Sequence, residues 1–271
     1  MATTTNRDLA GRVVIITGAS AGIGAALARH IGQKGARPVL VARREAELAA
    51  VAADAGKDAV PMVADVTVRA DIERVVAATL ARFGQIDALV NNAGRGISRL
   101  VSQLTDEDID DMVRVNVKSA LYGMQAVLPH FRARKTGHII NISSMLGRMP
   151  FAPIRSAYSA SKHALNALTA NLRMELRQEG LEEVWVSTVS PGVVATEFGI
   201  SARYGGVDSR VLPNAQPADE VAAVIADVLQ HPRADAYTRP TAQKLIADYY
   251  AAEDMGDFER HAVFVPPPQT R

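Results

Sequence analysis

The sequence predicts an α/β fold in which a doubly wound parallel sheet lies between two layers of helices. Short apolar runs alternate along the chain with longer segments of helical periodicity, which is the order expected of a parallel sheet with crossover helices. The apolar runs are mostly Val, Ile and Leu, as in strands buried on both faces. Right-handed crossovers between successive strands then give three layers, α/β/α.

The strands and helices can be placed in order. Predicted strands lie at 12–17, 37–42, 58–64, 87–92, 138–143 and 184–190. Predicted helices lie at 22–34, 44–56, from the third strand to about 83, 105–134 and 156–179. The segment 237–255 allows a last strand and helix. No repeat or change of composition marks a second domain, so residues 1–255 are predicted to form one domain. Residues 256–271 are predicted to be a C-terminal tail, because the prolines of "FVPPPQT" lack backbone donors.

The composition excludes several classes of protein. A chain of 271 residues with a net charge of +1 has no strongly basic surface for nucleic acid and no acidic excess for a cationic partner. The chain has no cysteine, which excludes disulfides and zinc–thiolate sites. No signal-like start or apolar run of roughly 18 residues is present, so we expect no membrane span. A soluble, cytoplasmic protein is the expectation.

A glycine-rich turn follows the first predicted strand. In "TGASAGIG" (17–24), Gly18 permits a tight turn, Gly22 lets the backbone approach a pyrophosphate, and Gly24 lets helix and strand pack closely. The helix start adds unpaired N–H groups and partial positive charge. The spacing differs from G-x-G-x-x-G, and a purely structural turn is the alternative. The position after the first strand favours a Rossmann-type dinucleotide site.

The end of the second predicted strand predicts which dinucleotide binds. Folds that bind NAD usually carry an acid there, about 20 residues after the glycines, to hold the ribose 2′-hydroxyl. This chain has Arg43 and Arg44 instead. A guanidinium binds a 2′-phosphate with two hydrogen bonds, whereas a carboxylate repels it. The sequence therefore predicts NADP(H), unless these arginines are merely solvated residues at a helix start.

The stretch "YSASK" (158–162) brings a phenol and an ammonium onto one face of a predicted helix, because Tyr158 and Lys162 are four residues apart. A carbonyl that accepts a hydride needs a proton on its oxygen. The ordinary pKa of tyrosine is near 10, and a nearby cation is expected to lower it. Tyr158 is thus a candidate general acid in reduction and base in oxidation. A surface coincidence is the alternative.

Four motifs in this order resemble the short-chain dehydrogenase/reductase family, in its compact single-domain branch. They are "TGASAGIG", "NNAG" (91–94), "YSASK" and "PGVVAT" (191–196). The resemblance covers about residues 11–200 and extends arguably to 240. It implies an oxidoreductase that forms a homodimer or homotetramer, because two helices of this family commonly build a four-helix subunit contact.

The resemblance also assigns catalytic roles. It gives Lys162 a hydrogen bond to the nicotinamide ribose, Ser144 a hydrogen bond to the substrate carbonyl, and Asn116 a water that links Lys162 to solvent. The spacing from Ser144 to Tyr158 is one residue longer than the family pattern, so Ser143 stays an alternative. An Asn inside a helix is disfavoured because its amide competes for backbone hydrogen bonds, and a packing or kink role for Asn116 is the other interpretation.

The cofactor contacts follow from the same resemblance. Asp65 would touch the adenine amine, and Asn91 and Gly94 would lie near the adenosine side. The Val194 backbone and the Thr196 hydroxyl would fix the carboxamide. The predicted set is Gly18, Ser20, Gly22, Ile23, Gly24, Arg43, Arg44, Asp65, Val66, Asn92, Ala93, Gly94, Tyr158, Lys162, Pro191, Gly192, Val194 and Thr196.

The segment 197–216 follows the predicted carboxamide turn, where a loop can close over substrate. An apolar pocket is predicted from Phe198, Ile200, Tyr204, Val207, Leu212, Met145, Met149 and Phe151. An ordinary surface loop is the alternative. The acidic stretch "TDEDIDD" (105–111) is interpreted as a helix start with Thr105 and Asp108 as a capping pair, and no metal site is predicted.

The function predicted is transfer of a hydride between NADP(H) and a largely apolar ketone or secondary alcohol, with Tyr158 as acid and base. A non-redox relative, such as an epimerase or dehydratase, is one alternative. A cofactor-sensing protein without turnover is another, although a sensor does not need a proton relay.

Overall fold

The computed structural model describes residues 7–261, which are built around a parallel sheet of seven strands in the order β3-β2-β1-β4-β5-β6-β7. The strands are β1 Val13–Thr17, β2 Arg37–Ala42, β3 Val60–Val63, β4 Ala88–Asn91, β5 Gly137–Ile142, β6 Val184–Ser190 and β7 Asp235–Tyr237. Every neighbouring pair is parallel. The strand order reverses between β1 and β4, which confirms the predicted doubly wound α/β fold.

Helices cover both faces of the sheet. They are α1 Gly22–Gln33, α2 Glu45–Ala55, α3 Arg69–Phe83, α4 Asp106–Val113, α5 Ser119–Arg134, α6 Ser156–Gln178, α7 Ala218–Gln230, α8 Ala242–Ala251 and α9 Met255–His261. Alternate residues of β1 enter opposite cores, since Val14 and Ile16 pack with α1, α2 and α7, while Val13 and Ile15 pack with α3, α5 and α6. Both faces of the sheet are therefore buried, as the unbroken apolar runs predict.

The helix predicted over 105–134 is divided in the structure. A π-helical turn, Arg114–Lys118, lies between α4 and α5 and contains Asn116. Such turns relax the regular backbone ladder and are frequent at functional sites. The Thr105–Asp108 capping pair is confirmed, because each side chain accepts a hydrogen bond from the other residue's backbone N–H. The acidic stretch therefore has a structural explanation.

The C-terminal third differs most from the sequence prediction. Helix α7 was not predicted, although "ADEVAAVIADVLQ" carries a clear apolar face with Val221 and Ile225 buried. Strand β7 begins two residues before 237. The residues assigned to the start of the tail are helical, since α9 covers Met255–His261. The rest of that predicted tail, including "FVPPPQT", lies outside the described residues.

Helices α8 and α9 cover the loop after β5. Phe258 stacks on Phe151 at 5.7 Å between ring centroids, and Tyr249 packs edge-on against Phe151 at 5.3 Å. Met149 lies in the same apolar cluster. This cluster fixes the wall of the site described below. Within residues 7–261, none of the helices combines the length and apolarity needed to cross a bilayer.

Candidate active site

A cavity of about 630 Å³ opens at the carboxyl ends of β1, β4, β5 and β6, which is where doubly wound sheets bind ligands. Several predicted site residues line it: Gly18, Gly22, Ile23, Arg44, Asn92, Ala93, Gly94, Ser144, Tyr158, Lys162, Pro191, Gly192, Val194 and Thr196. Ser20 lines an adjoining cavity of about 390 Å³ that shares Arg44 and Gly22. Gly24, Arg43, Asp65, Val66 and Asn116 are not among the lining residues.

The glycine-rich turn has the backbone that its sequence predicts. Gly18 and Gly22 have positive φ angles of 66° and 54°, which glycine adopts without strain. A Cβ on Gly24 would lie 2.5 Å from the Gly18 carbonyl oxygen, and one on Gly22 would lie 3.2 Å from Thr196 Cγ2. The absence of a side chain on Gly24 therefore permits close packing against Gly18. The absence of one on Gly22 leaves space between the turn and Thr196.

The start of α1 is suited to an anion. Its N-cap residue, Ala21, makes no side-chain hydrogen bond to the helix, and no acidic residue stands in the first turn. The first N–H groups and the positive end of the helix dipole thus face the cavity without a side-chain cap. A dinucleotide pyrophosphate fits this cradle.

The two arginines after β2 occupy different positions. Arg44 donates from Nε and Nη2 to the Ser20 hydroxyl at 3.2 and 3.1 Å, and so lies against the glycine-rich turn. The Arg43 side chain is 77% exposed and lies 3.8 Å from the Asp65 carboxylate. Asp65 in turn accepts hydrogen bonds from the Thr67 amide and hydroxyl. Arg44 alone of the two lines the cavity.

Helix α6 carries Tyr158 and Lys162 into the other end of the cavity. Both side chains are buried, and Lys162 Nζ lies 5.8 Å from the centroid of the Tyr158 ring. Lys162 donates a hydrogen bond to the Ile142 carbonyl oxygen at 2.8 Å. The Tyr158 ring packs edge-on against Phe198 at 5.3 Å. The i, i+4 spacing thus brings the phenol and the ammonium together in the cavity.

The electrostatics of Tyr158 differ from the sequence prediction. Burial raises the pKa of Tyr158 to about 12, and a hydrogen bond with Ser144 and the charge of Arg155 only partly oppose it. The pKa of Tyr158 is therefore raised and not lowered as the sequence predicts, because burial outweighs the opposing charge of Arg155. A low-dielectric environment disfavours the phenolate, and the cation that acts on the phenol is Arg155.

Burial also lowers the pKa of Lys162, from 10.5 to about 8. Because the unfolded chain holds this proton more tightly, the penalty on folding is full below about pH 8 and disappears as the pH rises towards 10.5. We expect Lys162→Met to be more stable than the wild type at neutral pH, with an advantage that shrinks by about 2 kcal/mol by ~pH 9.5. Denaturant unfolding of both proteins across this range measures it, and parallel pH curves would contradict it.

Asn116 holds the segment after β4 against α6. Its Oδ1 accepts from the Arg95 N–H at 2.8 Å, and its Nδ2 donates to the Arg95 carbonyl and to Ser161 Oγ. A Cβ on Gly94 would lie 3.1 Å from Asn116 Oδ1 and 3.5 Å from Lys162 Nζ. The side-chain amide of Asn116 is therefore hydrogen-bonded to Arg95 and Ser161, and Gly94 lies between this amide and Lys162.

The predicted segment "NNAG" divides between the core and the cavity. Asn91 is buried and donates to Asn141 Oδ1 at 2.8 Å and to the Ala120 carbonyl. Asn91 links β4 to β5 and α5 and does not line the cavity. Asn92, Ala93 and Gly94 do line the cavity. Neighbouring residues of a strand point to opposite faces of the sheet. The motif "NNAG" by itself therefore did not show which of Asn91 and Asn92 lines the cavity.

Both candidate serines are near the phenol. Ser144 accepts a hydrogen bond from the Leu146 N–H at 3.1 Å, and its hydroxyl acts to lower the pKa of Tyr158. Ser143 lines the same cavity, and its buried hydroxyl has no hydrogen-bond partner within residues 7–261. The contact with Tyr158 favours Ser144 as the second polar group of the site.

The predicted apolar pocket is formed in part. Phe198, Leu212, Met145, Met149 and Phe151 line the cavity, whereas Ile200, Tyr204 and Val207 do not. Tyr204 instead donates from its hydroxyl to Asp108 at 2.9 Å and packs under the Arg99 guanidinium. Although burial alone would raise the pKa of Asp108, hydrogen bonds from Arg99, the Thr105 N–H and Tyr204 lower it to about 2. These contacts with Asp108 anchor the loop that carries Tyr204 to the start of α4.

Sequence reasoning missed several polar residues of the cavity, namely Arg155, Glu197, Ser201 and Ser209. Arg155 lines it from the position just before α6, three residues ahead of Tyr158. The i, i+3 spacing was a usable signal, because residues three apart lie on one helix face. From the segment before Tyr158, the sequence predicted only the apolar residues Met145, Met149 and Phe151 as part of the site.

The reversed strand order, the uncapped helix start and the cavity at the strand ends are features typical of dinucleotide-binding α/β proteins. A family model described as short chain dehydrogenase matches residues 12–204. An uncharacterized oxidoreductase of Staphylococcus epidermidis is 38% identical over 194 residues, which are 72% of this chain and 83% of that protein. One of Staphylococcus aureus is 34% identical over 225 residues, which are 82% of this chain and 93% of that protein.

Solved structures show the same fold. A short chain dehydrogenase/reductase from Burkholderia phymatum in complex with NAD has a TM-score of 0.83 and 24% identity, and the match covers 97% of this chain and 100% of that one. A short chain dehydrogenase from Burkholderia cenocepacia in complex with NADP has a TM-score of 0.79 and 27% identity, with 96% and 100% covered. This chain belongs to the short-chain dehydrogenase/reductase family and is an oxidoreductase of small-molecule substrates.

Proposed function

We propose that this protein is an NADP(H)-dependent oxidoreductase that interconverts a largely apolar ketone and its secondary alcohol. One observation carries the proposal: a single cavity reaches from the glycine-rich turn beside Arg44 to Tyr158, Lys162 and Ser144. A site that only sensed a dinucleotide would not need a phenol, an ammonium and a hydroxyl at its far end. The Met, Leu and Phe side chains around that end favour an apolar substrate.

The cofactor would be held by groups along the cavity. The start of α1 would bind the pyrophosphate, and the two arginines after β2 would bind the 2′-phosphate. When bound, the nicotinamide supplies or accepts the hydride. The other proposed contacts are Ser20, Asp65, Val66, Asn92, Ala93, Gly94, Lys162, Pro191, Gly192, Val194 and Thr196.

The chain's own groups would move the proton. The pKa of Tyr158, raised to about 12, keeps the phenol protonated at neutral pH, which suits a proton donor to a carbonyl oxygen. Ser144 would hold that oxygen beside the phenol. Lys162, with a pKa of about 8, is mostly protonated at neutral pH, and its charge would stabilise the phenolate left behind. Asn116 would hold the segment after β4 in a fixed position beside Lys162 through its hydrogen bonds to the Arg95 backbone.

A pair of serine variants separates the two candidate hydroxyls. We expect Ser144→Ala to lower kcat/KM by roughly 10²–10³, the usual loss when a donor to a developing oxyanion is removed. Ser143→Ala should cost much less, because the serine whose hydroxyl acts on the pKa of Tyr158 is Ser144. Steady-state rates of both variants decide the matter, and the opposite order would assign Ser143.

A substrate screen that follows NADPH absorbance tests the function itself. The panel should contain linear, branched and cyclic ketones, and the corresponding alcohols with NADP⁺. Turnover of apolar ketones supports the proposal. Stoichiometric NADPH binding without oxidation across the panel would favour the cofactor-sensing alternative. Light scattering after size exclusion tests the proposed homodimer or homotetramer.

A further inference from the structure

Arg155 is a cation of the cavity that the proposed proton transfer does not use. It stands one helical turn before Tyr158 and lines the same cavity, beside Phe198. Its Nη1 donates to the Ile97 carbonyl oxygen at 3.2 Å and to Ser98 Oγ at 3.1 Å. Two neutral acceptors therefore hold the guanidinium in place without balancing its charge.

Other arginines near the loops at 97–99 and 197–216 form ion pairs with carboxylates. Arg99 and Arg203 contact Asp108 at 2.9 and 2.7 Å, and Arg210 contacts Asp208 at 2.7 Å. Within residues 7–261, Arg155 makes no ion pair with a carboxylate, and the acidic group that acts on its charge is the Tyr158 phenol. The carboxylate among the cavity-lining residues, Glu197, lies 3.5 Å from Arg210. A half-buried guanidinium thus has an uncompensated charge.

One edge of this guanidinium is available. The two hydrogens of Nη1 are used by Ile97 and Ser98, whereas Nε and Nη2 make no hydrogen bond to the described residues. The Nε–Nη2 edge presents two parallel N–H groups, which match the two oxygens of a carboxylate. The Gly206 backbone lies beside Nη2, since a Cβ on this residue would be 3.1 Å from that nitrogen.

We propose that Arg155 selects the substrate by binding a carboxylate, so that the substrate is an oxo acid whose ketone lies at Tyr158. The assignment of the ketone rests on the proposed function. Since Arg155 is the N-cap residue of α6 and lies three residues before Tyr158, only a few carbons separate ketone and carboxylate. The apolar walls then receive the rest of the carbon chain.

Matched acids and esters test this selection. 4-Oxopentanoate and 5-oxohexanoate are compared with their methyl esters, which keep the ketone and lose the charge. We expect the wild type to prefer the acid, and Arg155→Leu to lower the acid-to-ester ratio of kcat/KM roughly 10- to 100-fold, as for a lost charge-assisted contact. Arg155→Lys should keep part of the preference. Arg82→Leu, at the exposed end of α3, removes a positive charge remote from the cavity and should leave the ratio unchanged.

Equilibrium binding separates this proposal from the proposed function. The same acids and esters are titrated by calorimetry into the wild type and Arg155→Leu with NADP⁺ present. Tighter binding of the acid that is lost in the variant supports Arg155 even where no ketone is reduced, and that result would remove only the redox function. An equal acid-to-ester ratio in wild type and variant overturns the role of Arg155, whether or not the ketones are turned over. Absence of any acid binding to the wild type overturns it as well.

Discussion

Replacing Tyr158 with phenylalanine is expected to lower turnover by about 10²–10⁴, the usual contribution of a positioned acid or base. Phenylalanine keeps the ring that packs against Phe198 at 5.3 Å but removes the proton that a reduced carbonyl oxygen would take. Cofactor affinity should be nearly unchanged, because the glycine-rich turn and Arg44 lie at the other end of the cavity. The loss should therefore appear in kcat and not in the NADPH dissociation constant.

The measurement pairs steady-state rates with a fluorescence titration of NADPH. Tyr122→Phe is a matched control, because Tyr122 lies on α5 with the Arg69 guanidinium 4.3 Å from its ring and is not a cavity-lining residue. It makes the same chemical change and should keep full turnover. A fully active Tyr158→Phe enzyme would remove Tyr158 from the mechanism.

The second large effect concerns the choice of cofactor. We expect NADPH to bind more tightly than NADH, and Arg43→Asp to reverse that order, because a carboxylate repels a 2′-phosphate and accepts a hydrogen bond from a 2′-hydroxyl. Arg44→Leu should weaken NADPH roughly 10- to 100-fold, the value of a charge-assisted contact, and affect NADH much less. Arg44 is the better placed of the two, since it contacts Ser20 and lines both cavities.

Fluorescence titrations of both nucleotides against wild type, the two variants and Arg82→Asp measure these preferences. The Arg82→Asp control makes an equal change of charge at the far end of α3 and should preserve the preference for NADPH. Equal affinity of the wild type for NADPH and NADH would refute the argument from the arginines. An Arg43→Asp protein that still prefers NADPH would assign the 2′-phosphate to Arg44 alone.

The sequence predicted those features that depend on neighbours along the chain. Unbroken apolar runs indicated the buried parallel strands, and the six strands predicted up to 190 are all present, with boundaries shifted by a few residues. The Thr105–Asp108 cap and the approach of Lys162 to Tyr158 follow from spacings of three and four residues, which helical geometry converts directly into contacts. Helix α7 had an equally clear period and could have been predicted.

Tertiary structure decided what depends on groups far apart in the chain. Local spacing did not predict the π turn at Asn116, nor the burial of Asn91, which donates a hydrogen bond to Asn141 on β5. The raised pKa of Tyr158 arises from burial of the phenol by distant segments, and the spacing between Tyr158 and Lys162 carries no information about that burial. Arg155 became part of the site because the loop around Ile97 folds over it. Hydrophobic periodicity and residue spacing determine the geometry within a helix or strand. The burial of Tyr158 and the uncompensated charge of Arg155 arise only when segments that are distant in the sequence pack together and exclude water.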